Sequence, residues 1–165
     1  MPSSRGILQA LLLFLLAVPL STQVAGEEPG EGTKPPESIT WVGYNEALAQ
    51  ARDFDKPVFI HFTAPWCKWC VKMKKETYTD QAVITYLEEN YVSVIVDTEK
   101  MPSLARKYQV SSLPTLWFLN SKAEGLTAVP GYMGPDTLLP VLEYIATEAY
   151  EEIAYEAWKR RRNKN

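Results

Sequence analysis

The residue types most able to do chemistry in this chain lie within five positions, Trp66-Cys67-Lys68-Trp69-Cys70, which hold the only two cysteines among 165 residues. A Cys-x-x-Cys pair has three ordinary uses: half of a metal site, a short structural disulfide, or a redox dithiol. As a staple it achieves little, because a bridge across two intervening residues closes almost no loop and removes little entropy from the unfolded chain. As a zinc site it lacks partners, because structural sites take four ligands and there is no second Cys-x-x-Cys. The single histidine, His61, could at best complete a copper-chaperone-like triad with Cys67 and Cys70. The redox use has a mechanism. Val58-Phe59-Ile60-His61-Phe62-Thr63 reads as a strand before the pair, and Val71-Lys72-Met73-Lys74-Lys75-Glu76 reads as a helix after it. At such a junction the first sulfur sits near the helix N-terminus, where unpaired N–H groups and the macrodipole favour a thiolate.

The elements that must hold this junction follow from periodicity and punctuation. A short strand is expected at residues 39–41 and a helix at residues 45–53, with Ala47, Leu48 and Ala51 on one side. Residues 58–63 are apolar at most positions, as in a strand buried on both faces. The helix after Cys67 runs to about Thr77, and Asp80 then caps a second helix with Val83, Ile84 and Leu87 on one face. Strands are expected at 91–96, 115–119 and 126–130, a short helix at 104–108, and a helix capped by Asp136, with Pro140 in its first turns. Strand–helix–strand crossovers imply parallel pairing, and the 115–130 hairpin adds an antiparallel edge. The expected class is α/β, a central mixed β-sheet with helices on both faces.

Four segments are expected. Residues 1–26 pair one positive charge, Arg5, with an apolar run at 7–18 broken only by Gln9, and end in small residues. That is the pattern of a cleaved secretory signal, since twelve apolar residues are too few to cross roughly 30 Å of hydrocarbon. An uncleaved membrane anchor is the alternative. Residues 27–38, rich in Glu, Gly and Pro, read as a flexible linker. Residues 39–149 form the domain and 150–165 an extension. In the extension Tyr150, Ile153, Ala154, Ala157 and Trp158 recur at helical spacing, so the last helix is expected to lengthen and pack its apolar stripe back on the domain. The ending Lys159-Arg160-Arg161-Arg162-Asn163-Lys164 could touch anionic lipid weakly, or simply favour a helix C-terminus. With 17 Lys and Arg against 20 Asp and Glu, the chain has no basic face for nucleic acid.

Three motifs together resemble the thioredoxin superfamily: Ala64-Pro65-Trp66-Cys67-x-x-Cys70 after a buried strand, Ser112-Leu113-Pro114-Thr115 before another, and Gly131-Tyr132 ahead of the last helix. Lys56-Pro57-Val58 through Asp80 is most similar to exported bacterial members, including the C-terminal periplasmic domain of DsbD-type electron transporters. The resemblance implies a thioredoxin fold over residues 39–146 and a periplasmic thiol–disulfide oxidoreductase acting on protein disulfides or dithiols. It implies no bound cofactor or metal, a monomer, and a reductase direction with a DsbD-type membrane electron donor. A disulfide oxidase or isomerase, or a binding or chaperone module without turnover, is the alternative. Residue by residue, it makes Cys67 the attacking sulfur and Cys70 the buried resolving one. It makes the bond before Pro114 cis, with the preceding backbone pairing with substrate like an added strand. Trp66 packs beside the site. Lys68 either stabilises the Cys67 thiolate or is a solvated lysine. Trp69, unusual between the cysteines, is a docking patch or lies against a neighbouring loop. His61 stands where the family commonly has a buried carboxylate. It is either the proton acceptor for Cys70 or a neutral core histidine.

Overall fold

The computed structural model describes residues 36–164. The expected signal at residues 1–26, and all of the linker before residue 36, lie outside the described residues. The elements run β1 (Trp41–Val42), α1 (Tyr44–Phe54), β2 (Val58–Thr63), α2 (Lys68–Glu76), α3 (Gln81–Asn90), β3 (Val92–Asp97), α4 (Pro102–Lys107), β4 (Thr115–Leu119), β5 (Gly125–Pro130), α5 (Pro135–Ala146), a 3₁₀ turn at Ala149–Glu151, and α6 (Tyr155–Arg162). The five strands form one sheet in the order β1-β3-β2-β4-β5. β3 pairs parallel with β1 and β2, whereas β4 pairs antiparallel with β2 and β5. This is the mixed sheet expected from the crossover and hairpin signals.

β2 is central, and all six of its residues are buried, which explains its unbroken apolar run. Its side chains alternate between two cores. Phe59 joins Met73 of α2, Val83, Ile84 and Leu87 of α3, and Leu138, Leu142 and Ile145 of α5. Val58, Ile60 and Phe62 join Ala47 and Ala51 of α1 and Tyr108 beyond α4. Helices therefore cover both faces. The alternation places His61 on the face shared with Phe59, under α2.

Local chemistry explains most element ends. The Asp80 carboxylate accepts from the N–H groups of Ala82 and Val83 and caps α3 as expected. Two expectations about α5 are corrected. Its N-cap is Gly134, with Pro135 in the first turn, and Asp136 lies inside that turn, where its charge favours the dipole without capping. Pro140 is the sixth residue of α5, in its second turn, and it is not harmless there, because the i→i−4 bond to the Asp136 carbonyl has no donor.

The extension also departs from a lengthened helix. α5 stops at Ala146, and Glu148 takes a left-handed conformation (φ 53°) that an α-helix cannot continue through. The chain turns and returns as α6. Tyr144 of α5 meets Tyr150, Tyr155 and Trp158 at ring-centroid distances of 5.2–6.5 Å. Its hydroxyl donates to the Ile153 carbonyl at 2.6 Å. The Arg162 guanidinium forms a two-pronged pair with Glu143. The apolar stripe thus packs back as expected, by way of a reversal.

Candidate redox site

The register brings four segments to one end of the sheet. Thr63, the last residue of β2, pairs with Asp97, the last of β3. Phe62 pairs with Thr115, the first residue of β4, and Thr115 pairs with Pro130, the last of β5. The loops that leave or enter at these points carry Cys67 and Cys70, Glu99, Pro114 and Tyr132. The cysteine segment, the proline loop and the Gly131-Tyr132 turn, dispersed over 66 positions of sequence, therefore converge because of strand pairing alone. The Leu113–Pro114 peptide bond is cis. The Gly131 N–H donates to the Pro114 carbonyl at 2.8 Å, tying two of these loops together. Gly131 has φ +97°, a region that an L side chain rarely adopts, which accounts for glycine here.

Cys67 is the N-cap of α2. Its sulfur accepts the backbone N–H of Cys70 at 3.1 Å and is bonded to the Cys70 sulfur. One of the helix's otherwise unpaired donors is thus aimed at the sulfur, a stronger version of the sequence argument. Cys67 is 4% exposed and Cys70 1%. The order of exposure is as expected, although the first sulfur is less open than a surface nucleophile.

Aromatic side chains frame the pair. Trp66 is 67% exposed, and its indole N–H donates to the Glu99 carboxylate at 2.9 Å. Trp69 is 55% exposed and lies against Tyr132, ring centroids 5.5 Å apart. The Lys72 ammonium sits over both rings, 5.4 Å from Trp69 and 4.8 Å from Tyr132. Glu76 accepts from the Tyr132 hydroxyl at 2.8 Å and pairs with Lys72 at 3.7 Å. The hydrogen bond to Glu76, with burial second, raises the Tyr132 phenol above its ordinary range. Of the two readings of Trp69, the geometry carries the neighbouring loop, while leaving half the indole in solvent. Lys68 is exposed and has no ion pair among the described residues.

His61 is fully buried, and neither ring nitrogen has a hydrogen-bond partner. Its ring packs edge-on against Tyr78 at 5.3 Å, and the Tyr78 hydroxyl is likewise buried without a partner. Burial, with a smaller contribution from Lys74, lowers the imidazole to about 3. It is a neutral ring across the physiological range. Among the described residues no group of three or more His, Cys, Asp or Glu could hold a metal ion.

Sequence reasoning missed four residues of this site. The Lys72–Glu76 pair was legible from its i,i+4 spacing. Glu99, 33 positions from Trp66, and Tyr78 beside His61 carried no local signal.

A thioredoxin-like domain family matches residues 44–146. The chain belongs to the thioredoxin-like family. It is 32% identical over 101 residues to the thiol:disulfide interchange protein DsbD of Yersinia pestis, a match covering 58% of this chain and 17% of that one. A thioredoxin from Thermus thermophilus superposes with TM-score 0.60 at 29% identity, covering 66% of this chain and 87% of the other. The DsbH oxidoreductase gives TM-score 0.60 at 23% identity, covering 73% and 94%, a likeness of fold. The chain spans about a tenth of the length of several curated relatives that it matches. The thioredoxin fold expected from the three motifs is thereby shown.

Proposed function

We propose that this protein is an exported thiol–disulfide oxidoreductase that works as a reductase of protein disulfides. The observation that carries the reading is the Cys67 sulfur at the N-cap of α2, with the Cys70 N–H aimed at it at 3.1 Å. Once reduced, that sulfur is held as a thiolate by the N–H group and the helix dipole, and only the thiolate attacks.

The reaction balances as two exchanges. The Cys67 thiolate attacks one sulfur of a substrate disulfide, forming a mixed disulfide and expelling the other substrate sulfur as a thiolate. The Cys70 thiol gives up its proton and attacks the Cys67 sulfur. This forms Cys67–Cys70 and expels the second substrate thiolate. Two electrons pass to the substrate, and a dithiol donor of the DsbD type reduces the pair again. The cis Pro114 loop, entering β4 at the same sheet end, offers the substrate backbone an edge to pair with. Trp66 and Trp69 supply exposed apolar surface around the sulfurs, and Lys68 adds positive charge beside Cys67.

His61 fits the neutral core role better than that of proton acceptor for Cys70. Burial lowers its basicity to about 3, and it packs against Tyr78 with no hydrogen-bond partner on either ring nitrogen. Export rests on the leader-like residues 1–26, so the proposed location is the periplasm. Among the described residues no helix is long and apolar enough to cross a membrane.

Insulin reduction with dithiothreitol as donor tests the activity, and a Cys70→Ser variant tests the order of attack. The variant should accumulate mixed disulfides through Cys67. Absence of both turnover and trapped adducts would instead favour a binding module. An equilibrium potential against glutathione tests direction: a value close to that of thioredoxin supports a reductase, and one close to that of DsbA would overturn it.

A further inference from the structure

The charge around the sulfurs is unevenly distributed. The chain is acidic overall, with net charge −3, yet the nine residues of α2 carry four lysines and one glutamate. Lys68, Lys72 and Lys75 are spaced i, i+4 and i+7, so at 100° per residue they form one stripe along the helix. That stripe lies opposite the buried Cys70, Met73 and Thr77. The one acid, Glu76, is engaged by Lys72 and the Tyr132 hydroxyl. Lys68, Lys74 and Lys75 have no ion pair among the described residues. On the other side of the cysteine loop the balance differs: Asp97 and Glu99 face a single lysine, Lys100, and Glu99 is tied to Trp66.

A helix rises about 1.5 Å per residue, so the stripe begins next to Cys67 and ends about 11 Å along the axis. That span is close to the screening length of about 8–10 Å at physiological salt. A partner whose cysteine reaches Cys67 must bring its flanking residues within range of all three ammonium groups. An ordinary solvated helix face would mix the signs, and its single acid would not be occupied. The half-exposed indole of Trp69 adjoins the stripe, so a matching segment would set one apolar residue among acids.

We propose that the α2 lysine stripe selects polypeptide partners whose reacting cysteine is flanked by Asp and Glu. The inference rests on the exchange activity proposed above and names its substrate class. Each lysine–acid pair at ~10 Å in water changes the encounter by about twofold, so three lysines facing one acid give a preference of roughly eightfold over a neutral partner.

The test uses three octapeptides, each with one cysteine as its mixed disulfide with 2-mercaptoethanol, flanked by Glu, Gln or Lys. Reduction is followed as kcat/KM, relative to the Gln peptide for each protein. The wild type should favour the Glu over the Gln peptide by roughly eightfold at low ionic strength and disfavour the Lys peptide, and 1 M NaCl should bring the Glu-to-Gln ratio close to one. A Lys72→Gln/Lys75→Glu variant should lose most of the preference. A wild-type ratio within twofold of one at low salt would overturn the proposal, as would a ratio unmoved by salt or by the variant. Failure to reduce even the Gln peptide would instead overturn the exchange activity itself, and the selectivity with it.

Discussion

Two aromatic clusters lie at different places in this protein and are built in opposite ways. At the sulfurs, Trp66 and Trp69 keep 67% and 55% of their surface in solvent, and their polar neighbours are charged side chains, Glu99 beside Trp66 and Lys72 of the same helix over Trp69. At the C-terminus, Tyr144, Tyr150, Tyr155 and Trp158 turn toward one another. Tyr144, Tyr150 and Tyr155 close one wall of an apolar groove of about 610 Å³, lined also by Leu126, Val129, Met133 and Val141. Neither cysteine lines this groove. Under the proposed function a partner's cysteine must reach Cys67, which is 4% exposed, between the exposed aromatic side chains beside it. Under the proposed function, the aromatic residues left exposed serve recognition, and those turned inward serve packing.

This contrast is open to direct attack. The largest expected effect is Cys67→Ser, which should lower insulin reduction to the uncatalysed background with no loss of secondary structure by circular dichroism. Residual turnover above background would remove Cys67 as the attacking sulfur. Next is the acid stability of the interior. The folded-state His61 is lowered to about 3 against about 6.5 for an unfolded histidine. The unfolded chain therefore binds the extra proton first. The stability is fully present above pH 6.5 and is lost as pH falls from 6.5 towards 3, by up to a few kcal/mol. Urea titrations should show this loss in the wild type and a flatter profile in His61→Leu. Equal slopes would show that His61 is not held neutral.

Two smaller effects probe the aromatic clusters themselves. Trp158→Ala should cost about 1–2 kcal/mol in urea unfolding, because its ring packs on Tyr144 at 5.4 Å, and should leave reduction of the neutral peptide disulfide unchanged. Trp69→Ala should do the reverse, with a stability cost of about 0.5 kcal/mol and a several-fold fall in kcat/KM for protein disulfides. If Trp158→Ala slowed exchange or Trp69→Ala mainly destabilised the fold, the division between recognition and packing would fail.

Much of the fold was legible because its signals are local. The β-branched run at residues 58–63, the Asp80 cap and the polar turn before Gly125 each act within a few residues. Errors clustered where backbone conformation overrode periodicity. The 3.6-residue spacing from Tyr150 to Trp158 predicts a lengthened helix, but the left-handed Glu148 ends α5, a 3₁₀ turn holds Tyr150, and α6 starts only at Tyr155. Asp136 has the type of an N-cap, yet Gly134 and Pro135 take the helix start two residues earlier.

By itself, the sequence determined the chemistry available to this protein: one dithiol, at a strand-to-helix junction whose N–H groups favour a thiolate. It also determined the class of sheet, because crossover and hairpin connections dictate parallel and antiparallel pairing. Only the tertiary structure decided how that chemistry is dressed. Whether His61 is a base or a neutral ring depends on desolvation by the residues that bury it, Tyr78 among them. Whether Trp69 is free or braced depends on Tyr132, 63 positions away. Which acid holds Trp66 depends on β2 ending beside β3. Local propensity carries no information about such neighbours, because burial and charge at a site are set by residues that meet only when the sheet is assembled.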